Sequence, residues 1–369
     1  RMEATNELTL TMKLRVPDGD FLKSLADGHS KVIPSEVSRS YPNLSDGPNI
    51  GSGPWILSEY EKNSFFKFQR NNNYFERNLP YLDTLTVHVI ENEDARVAAF
   101  RVKLLDIDEF PPKAWNELPD KFRPQHLLYK QMSSGIEFGI NSKRKPFEDL
   151  EFRKSLFAAI NPWEANEVIW GGLGQVTMGM PGIEHQWLLP EENILQFFNM
   201  PREKTLGSLE IELTIGDFGD MHIDYAKFIG NQLKIANVSP TFRVLNPRQY
   251  ADTVWKKRDY QIYIGPPPPF NTTNSYLLST THSLGKYNAT GINDSEIDNL
   301  IALQLAELDS SSRRMIVMEI QRKLMEKAVR FMPYTAVEVW AWWPHVRDFY
   351  PNFENYEYAF WSNVWIDEN

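Results

Sequence analysis

Two hydrophobic periods take turns along the chain, and that alternation limits the fold more than any single residue does. Leu8, Leu10, Met12, Leu14 and Val16 recur at every second position, the spacing of a half-buried strand, and Pro17-Asp18-Gly19 closes the run as a turn. Strand-like runs return at 55–60, 65–70, 82–90, 136–141, 209–215, 242–245, 260–264 and 335–340. Helical spacing fills the intervals. Phe152, Leu156 and Ile160 lie four apart in a helix predicted over 147–160, which Asn161-Pro162 stops. Further helices are predicted over 92–105, 225–236 and 249–257, and over 294–308, where Ser295 with Asp298 fits a capping box. The longest is predicted over 310–329, with Val317, Ile320, Leu324 and Ala328 along one side. Residues 30–53 read as a connection and 171–201 as loop. The aromatic tail 350–365 reads as strand, with Trp340 and Trp342 on one face before it and Trp343 on the other. Strands interleaved with helices give an α/β (mixed α+β) class.

A chain of 369 residues suggests two or three domains, and a 42% hydrophobic fraction excludes a mainly disordered polymer. The formal charge of −10 argues against a nucleic-acid partner, and Lys143-Arg144-Lys145 reads as a solvated turn before Pro146. The chain has no cysteine, which removes disulfides, thiolate nucleophiles and Cys-type zinc sites. No run of about 18 apolar residues occurs, and no secretory signal pattern is present.

The motifs of hydrolytic, nucleotide and zinc chemistry are missing from the sequence. His222 beside Asp220 and Asp224 reads as a polar helix start rather than a metal site. Glu59 with Glu61, or Glu148 with Asp149 and Glu151, could be cast as a glycosidase pair, although sequence gives no separation between their carboxyl groups. No catalytic residue, metal ligand or cofactor is assigned from these patterns.

An ordered series of local patterns is more specific. Gly51-Ser52-Gly53-Pro54-Trp55 leads into a strand and is followed by Arg70-Asn71-Asn72-Asn73-Tyr74-Phe75 and Pro80-Tyr81-Leu82-Asp83. Next come Asn92 to Phe100 and Asp106, then Ile140-Asn141, Pro146-Phe147-Glu148-Asp149 and Arg153 to Asn161. Further on stand Gln232 to Val238, the helix 306–324 and Pro333-Tyr334. This order resembles the family 5 extracellular solute-binding proteins, the cluster C receptors of ABC importers for peptides, nickel and related cargo. It departs from the family at Lys103-Leu104-Leu105-Asp106, which replaces Gly-Glu-Ile-Asp, at Asn73 in place of proline and at Phe75 in place of tryptophan.

The resemblance implies a periplasmic-binding-protein-like type II fold, two lobes joined by a hinge. Residues 42–135 with 345–369 would build the first lobe and 136–344 the second. Residues 1–41 would be the remnant of an extra N-terminal domain otherwise missing, so the chain reads as a C-terminal piece of an exported protein. It also implies an extracytoplasmic receptor, monomeric, periplasmic or at the cell surface. Such a receptor would take a peptide-like or oligosaccharide-like solute between its lobes and deliver it to permease subunits. The alternatives are a carboxylate-pair hydrolase and a non-transport ligand sensor of the same fold. Position in the family pattern singles out Ser52, Gly53, Glu137, Phe138, Asn246, Pro266, Phe270, Asn271 and Trp340 as ligand-binding. Pro269 stands where oligopeptide receptors carry the aspartate that pairs with the peptide's amino group, and proline supplies no charge. Glu137 is the carboxylate that could substitute for it. Its competing reading is a sheet-edge or solvated glutamate.

Overall fold

The computed structural model describes residues 1–26, 30–110, 112–122, 125–181, 187–199, 206–270, 272–350 and 359–367. Among these, the strands in chain order are β1 (Met2–Asn6), β2 (Thr9–Met12), β3 (Trp55–Glu61), β4 (Phe65–Arg70), β5 (Thr84–His88), β6 (Ile107–Phe110), β7 (Gln125–Ile140), β8 (Gln175–Thr177), β9 (Leu209–Gly216), β10 (Val238–Leu245), β11 (Ile262–Gly265), β12 (Arg330–Trp342), β13 (Val346–Arg347) and β14 (Trp365–Ile366). The chain forms two compact units, Arg1–Ser24 with Lys130–Val337, and Leu25–Tyr129 with Glu338–Asn369. The stretch 1–41 is thus divided between the two.

The first unit is built on a mixed sheet. Strands β10 and β9 run parallel, as do β9 and β11, whereas β11 pairs antiparallel with β7. Helix Asp220–Ile235 makes the crossover that a parallel β9–β10 pair requires. Alternation sends Ile136, Phe138 and Ile140 of β7 to one face, where they meet Ile211, Leu213 and Ile215 of β9. Tyr225, Ala226, Ile229 and Leu233 repeat at helical spacing and cover that face. A second cluster joins Ile297 and Ile301 of helix Ser295–Ala306 to Val317, Ile320 and Leu324 of helix Ser310–Lys327.

In the second unit, β3, β4 and β5 form an antiparallel three-stranded sheet. Phe100 of helix Glu93–Arg101 stacks on Trp343 at 5.1 Å, and Phe110 closes on Phe100 from its edge. Trp340 and Trp342 pack instead with Val346, Phe349 and Val364. The alternation read from Trp340 to Trp343 therefore separates two clusters.

Several local expectations need correction. The run 7–16 is not one half-buried strand. Asn6 accepts the backbone N–H of Leu8 and turns the chain into the β1–β2 hairpin, leaving Leu8 97% exposed. The helix after residue 293 is capped by Asp294, whose carboxylate accepts the N–H groups of Glu296 and Ile297, not by Ser295. The stretch 171–201 is not all loop: it holds β8 and the helix Glu191–Phe198, whose buried Ile194, Phe197 and Phe198 lie at helical spacing. Most of the tail expected as strand, 351–358, lies outside the described residues.

Residues 1–24 are locked into the first unit through a turn read only as punctuation. Asp20 is 1% exposed, and its Oδ1 lies 2.6 Å from Arg313 Nη1, itself buried. Oδ2 accepts the backbone N–H of Asn274 at 2.7 Å. Arg313 also donates to Gln304 and Asn274, and its guanidinium lies 4.9 Å over the Trp187 ring. A Cβ at Gly19 would sit 2.8 Å from the Glu307 carbonyl and from Arg313 Nη1, so the close approach admits only glycine.

Candidate functional site

In the first unit, the face of β7 opposite the apolar core carries Glu137, which the strand places between β11 and β12. Glu137 is 3% exposed, neither solvated nor at a sheet edge. Tyr263 of β11 donates to its Oε2 at 2.7 Å. The Tyr263 ring crosses β7 at Gly139, where a Cβ would come within 2.2 Å of it, so the glycine is what lets the hydroxyl reach the carboxylate. Arg330, at the start of β12 and 2% exposed, brings Nε to 3.5 Å from Glu137 Oε1. Its other nitrogens donate to the Thr280 carbonyl and the Thr281 hydroxyl. Tyr276 donates to the Gly179 carbonyl at 2.7 Å and stands 3.5 Å from Glu137 Oε1.

Burial pushes the Glu137 carboxyl up, against the pull of Arg330, Tyr263 and Tyr276. Arg330 cannot shed its proton in a protein, so the site is a fixed cation beside a carboxyl held by hydrogen bonds. Such a layer can fix the geometry of surrounding walls. With Arg330 and Tyr263 occupying Glu137, it is not a free anion waiting for an amine.

The other sequence-assigned residues fall in different places. Phe138 is fully buried and stacks on Phe331 at 5.0 Å, because alternation on β7 sends it with Ile136 and Ile140 to the core, where it has no surface to offer a solute. Asn246 is exposed, and its side chain caps helix Pro247–Tyr250 in a reciprocal capping box with Gln249. Pro266 is half-buried, and Phe270 is 5% exposed with its ring edge-on to Tyr276 at 4.7 Å. Asn271 lies outside the described residues. In the second unit, Ser52 and Gly53 are exposed, and the Gly53 carbonyl accepts the Asn71 amide at 2.8 Å. Trp340 lines a cavity of 660 Å³ within the second unit. The structure therefore brings Glu137, Phe138, Pro266 and Phe270 into the first unit with Asn246, and Ser52, Gly53 and Trp340 into the second.

Sequence reasoning missed Arg330, Tyr263 and Tyr276. Arg330 had a readable signal, a lone cation between Val329 and Phe331 in a run that is otherwise apolar. The tyrosines had none, since their hydroxyls meet Glu137 across 126 and 139 residues of sequence.

The carboxylates that could form a hydrolytic pair have structural duties or face solvent. Asp149 caps helix Leu150–Ala158 through the Phe152 N–H, Glu151 pairs with Lys154, and Glu59 and Glu61 are exposed. No group of three or more metal-ligating side chains converges among the described residues. His222 is 8% exposed, and neither ring nitrogen has a hydrogen-bond partner. Burial lowers its pKa to about 4, against the opposing pull of Asp217. The unfolded imidazole takes up its proton near 6.5 and the folded one resists to about 4, so stability is full above pH 6.5 and falls as the pH drops toward 4. His222→Phe should remove up to about 3 kcal/mol of that acid sensitivity. Urea unfolding at pH 7, 5.5 and 4 measures it, and an unchanged slope in the variant would contradict the assignment.

Comparison with known proteins follows this geometry. Residues 1–288 match the description "Bacterial extracellular solute-binding proteins, family 5 Middle". The oligopeptide-binding protein AppA of Bacillus subtilis (strain 168) is 25% identical over 198 residues, covering 52% of this chain and 36% of the relative. The stretch matched thus spans about a third of that curated relative's own length. Among solved structures, the ABC transporter substrate-binding protein CtaP of Listeria monocytogenes has a TM-score of 0.80 at 16% identity, over 99% of this chain and 77% of its own. B. subtilis AppA in complex with a nonapeptide has a TM-score of 0.74 at 17% identity, over 100% of this chain and 78% of its own. These likenesses establish the two-lobed binding-protein fold.

Proposed function

Because the chain belongs to the bacterial extracellular solute-binding proteins of family 5, we propose that it is the solute-capturing receptor of an ABC importer, working outside the cytoplasm. It binds a peptide-like solute and passes it on chemically unchanged to permease subunits. The observation that carries this reading is the family match over residues 1–288, which takes in most of the first unit and the larger segment of the second. A peptide is favoured over an oligosaccharide because the AppA relative is named for oligopeptides and its solved form holds a nonapeptide.

On this reading, recognition of the peptide's amino group does not rest on a free carboxylate at Glu137, since Arg330 and Tyr263 already occupy it. Glu137 holds the wall in place, and main-chain groups make the polar contacts. Ser52 and Gly53 of the second unit and Pro266 of the first keep accessible surface and are each proposed as a contact, whereas Phe138 and Phe270 are core residues of the first unit.

A thermal-shift screen of the full-length protein against peptides of two to nine residues, oligosaccharides and metal chelates tests the proposal. A ligand at ~100 times its dissociation constant stabilises by about 2.7 kcal/mol. At ~2–4 °C per kcal/mol for a domain of 150–250 residues, the midpoint should rise by roughly 5–11 °C. A shift confined to peptides is expected. A shift confined to oligosaccharides would overturn the solute class, and no shift with any compound would overturn the receptor reading.

A further inference from the structure

The turn that locks residues 1–24 into the first unit also reaches the segment proposed to face the solute. Its point of contact is Asn274, a buried residue of the short helix Thr273–Tyr276. Asp20 Oδ2 accepts the Asn274 N–H at 2.7 Å, and Asp18 Oδ1 accepts its side-chain amide at 2.5 Å. Asn274 Oδ1 accepts in turn from Gln304 at 2.8 Å and from Arg313 at 2.9 Å. Held at its N–H, its amide and its side-chain carbonyl together, Asn274 is fixed in rotamer as well as in backbone position.

The far end of that helix meets the buried Glu137 layer. Tyr276 is fully buried, and the Arg330 guanidinium lies 5.4 Å from its ring centroid. The same ring takes Phe270 edge-on at 4.7 Å. Phe270 ends the proline run 266–269, which leaves β11 at Gly265. Each proline fixes its φ, so the run is stiff and cannot absorb a displaced end by bending. β11 holds one end of it, and the Phe270–Tyr276 contact holds the other. Pro266 is half-buried and Pro269 exposed, and where their surfaces stand follows from where Tyr276 stands.

We propose that Asp20 is a positioning residue for solute binding: by holding Asn274 it sets the place of Tyr276 and Phe270, and with them the surface that Pro266 and Pro269 offer. This role rests on the receptor reading above, in which Pro266 is a contact. Asp20 is itself 1% exposed and acts only through this relay. If the buried ion pair served stability alone, Arg313 would answer Asp20 by itself. Instead the second oxygen of Asp20 and the carboxylate of Asp18 are both spent on Asn274.

The test uses full-length protein and the peptide that wild type retains most tightly from an equimolar mixture of peptides two to nine residues long. Its dissociation constant is measured by calorimetry at a temperature where circular dichroism shows every variant folded. Asp20→Asn and Asn274→Ala, each a test on its own, should raise the constant by about threefold to thirtyfold, the range for residues that act on a site without touching its ligand. The double variant should add little to either single one, since both act through one relay. Leu233→Ala opens a cavity in the core cluster under helix Asp220–Ile235, and should lower the melting midpoint while leaving the constant within about twofold. A merely structural Asp20 would behave as Leu233 does. Wild-type affinity in both folded single variants, additive losses in the double variant, or an equal loss in Leu233→Ala would overturn the positioning role while the receptor reading stands. Wild type that retains no peptide would overturn both.

Discussion

Asp20→Ala is expected to lower the unfolding free energy by about 3–5 kcal/mol, the usual cost of leaving one member of a buried ion pair without its partner. Arg313 is 4% exposed and cannot deprotonate, so the variant strands a guanidinium among Gln304, Asn274 and Trp187. At ~2–4 °C per kcal/mol for a domain of 150–250 residues, the melting midpoint should fall by roughly 6–20 °C. The pH dependence has a definite sign. Burial raises the Asp20 carboxyl, but Arg313 and the Asn274 N–H outweigh it, and the folded-state pKa lies below 3.8. The stabilisation is therefore present above 3.8 and is lost as the pH falls through the lowered value, so wild type and variant should converge in strong acid. Asp20→Leu combined with Arg313→Met should recover most of the loss, since an apolar pair removes both charges together. A single variant within about 0.5 kcal/mol of wild type would place Asp20 outside the network drawn here.

Glu137 and Arg330 make a second buried pair, and its two halves should not be equivalent. Glu137→Gln keeps an oxygen for Tyr263 and mimics the protonated carboxyl that burial favours, while Arg330 retains the Thr280 and Thr281 oxygens and the Tyr276 ring, so it should cost only about 1 kcal/mol at neutral pH. Arg330→Met leaves a carboxyl that can answer by taking up a proton while Tyr263 remains bonded to it. A carboxyl whose folded pKa is raised stabilises below its unfolded value, and that stabilisation is lost as pH rises through the folded value. The deficit of Arg330→Met should therefore shrink as the pH is lowered toward 4.5, whereas that of Glu137→Gln should not. Denaturant unfolding of both variants at pH 7 and pH 5 reads the difference. Equal deficits at both pH values would mean that Glu137 is not held as a carboxyl seeking a proton.

The two networks also mark where sequence stops being legible. The strands carrying the core were readable because alternation is local, as with Ile211, Leu213 and Ile215 on β9. Helix Ser310–Lys327 was readable for the same reason, from Val317, Ile320 and Leu324. Asp20 looked like one more turn residue, since its partners Asn274 and Arg313 lie 254 and 293 residues away. Polar residues on an otherwise apolar helix face, Gln304 and Arg313, were the trace such a network leaves, because they are buried only when something answers them. The candidate site was read from family position, which located Glu137 but gave its surroundings no content. Nothing in the order of residues says that Tyr263 crosses β7 at Gly139.

The central claim is that this protein holds a peptide and leaves it intact. Full-length protein is equilibrated with a defined mixture of peptides two to nine residues long, the complex is isolated by gel filtration, and the ligand is released by denaturation and weighed by mass spectrometry. The account predicts about one peptide per chain, drawn from a subset of the mixture, with its mass unchanged after prolonged incubation. Complexes that carry no peptide, or that release fragments shorter than anything added, would contradict it.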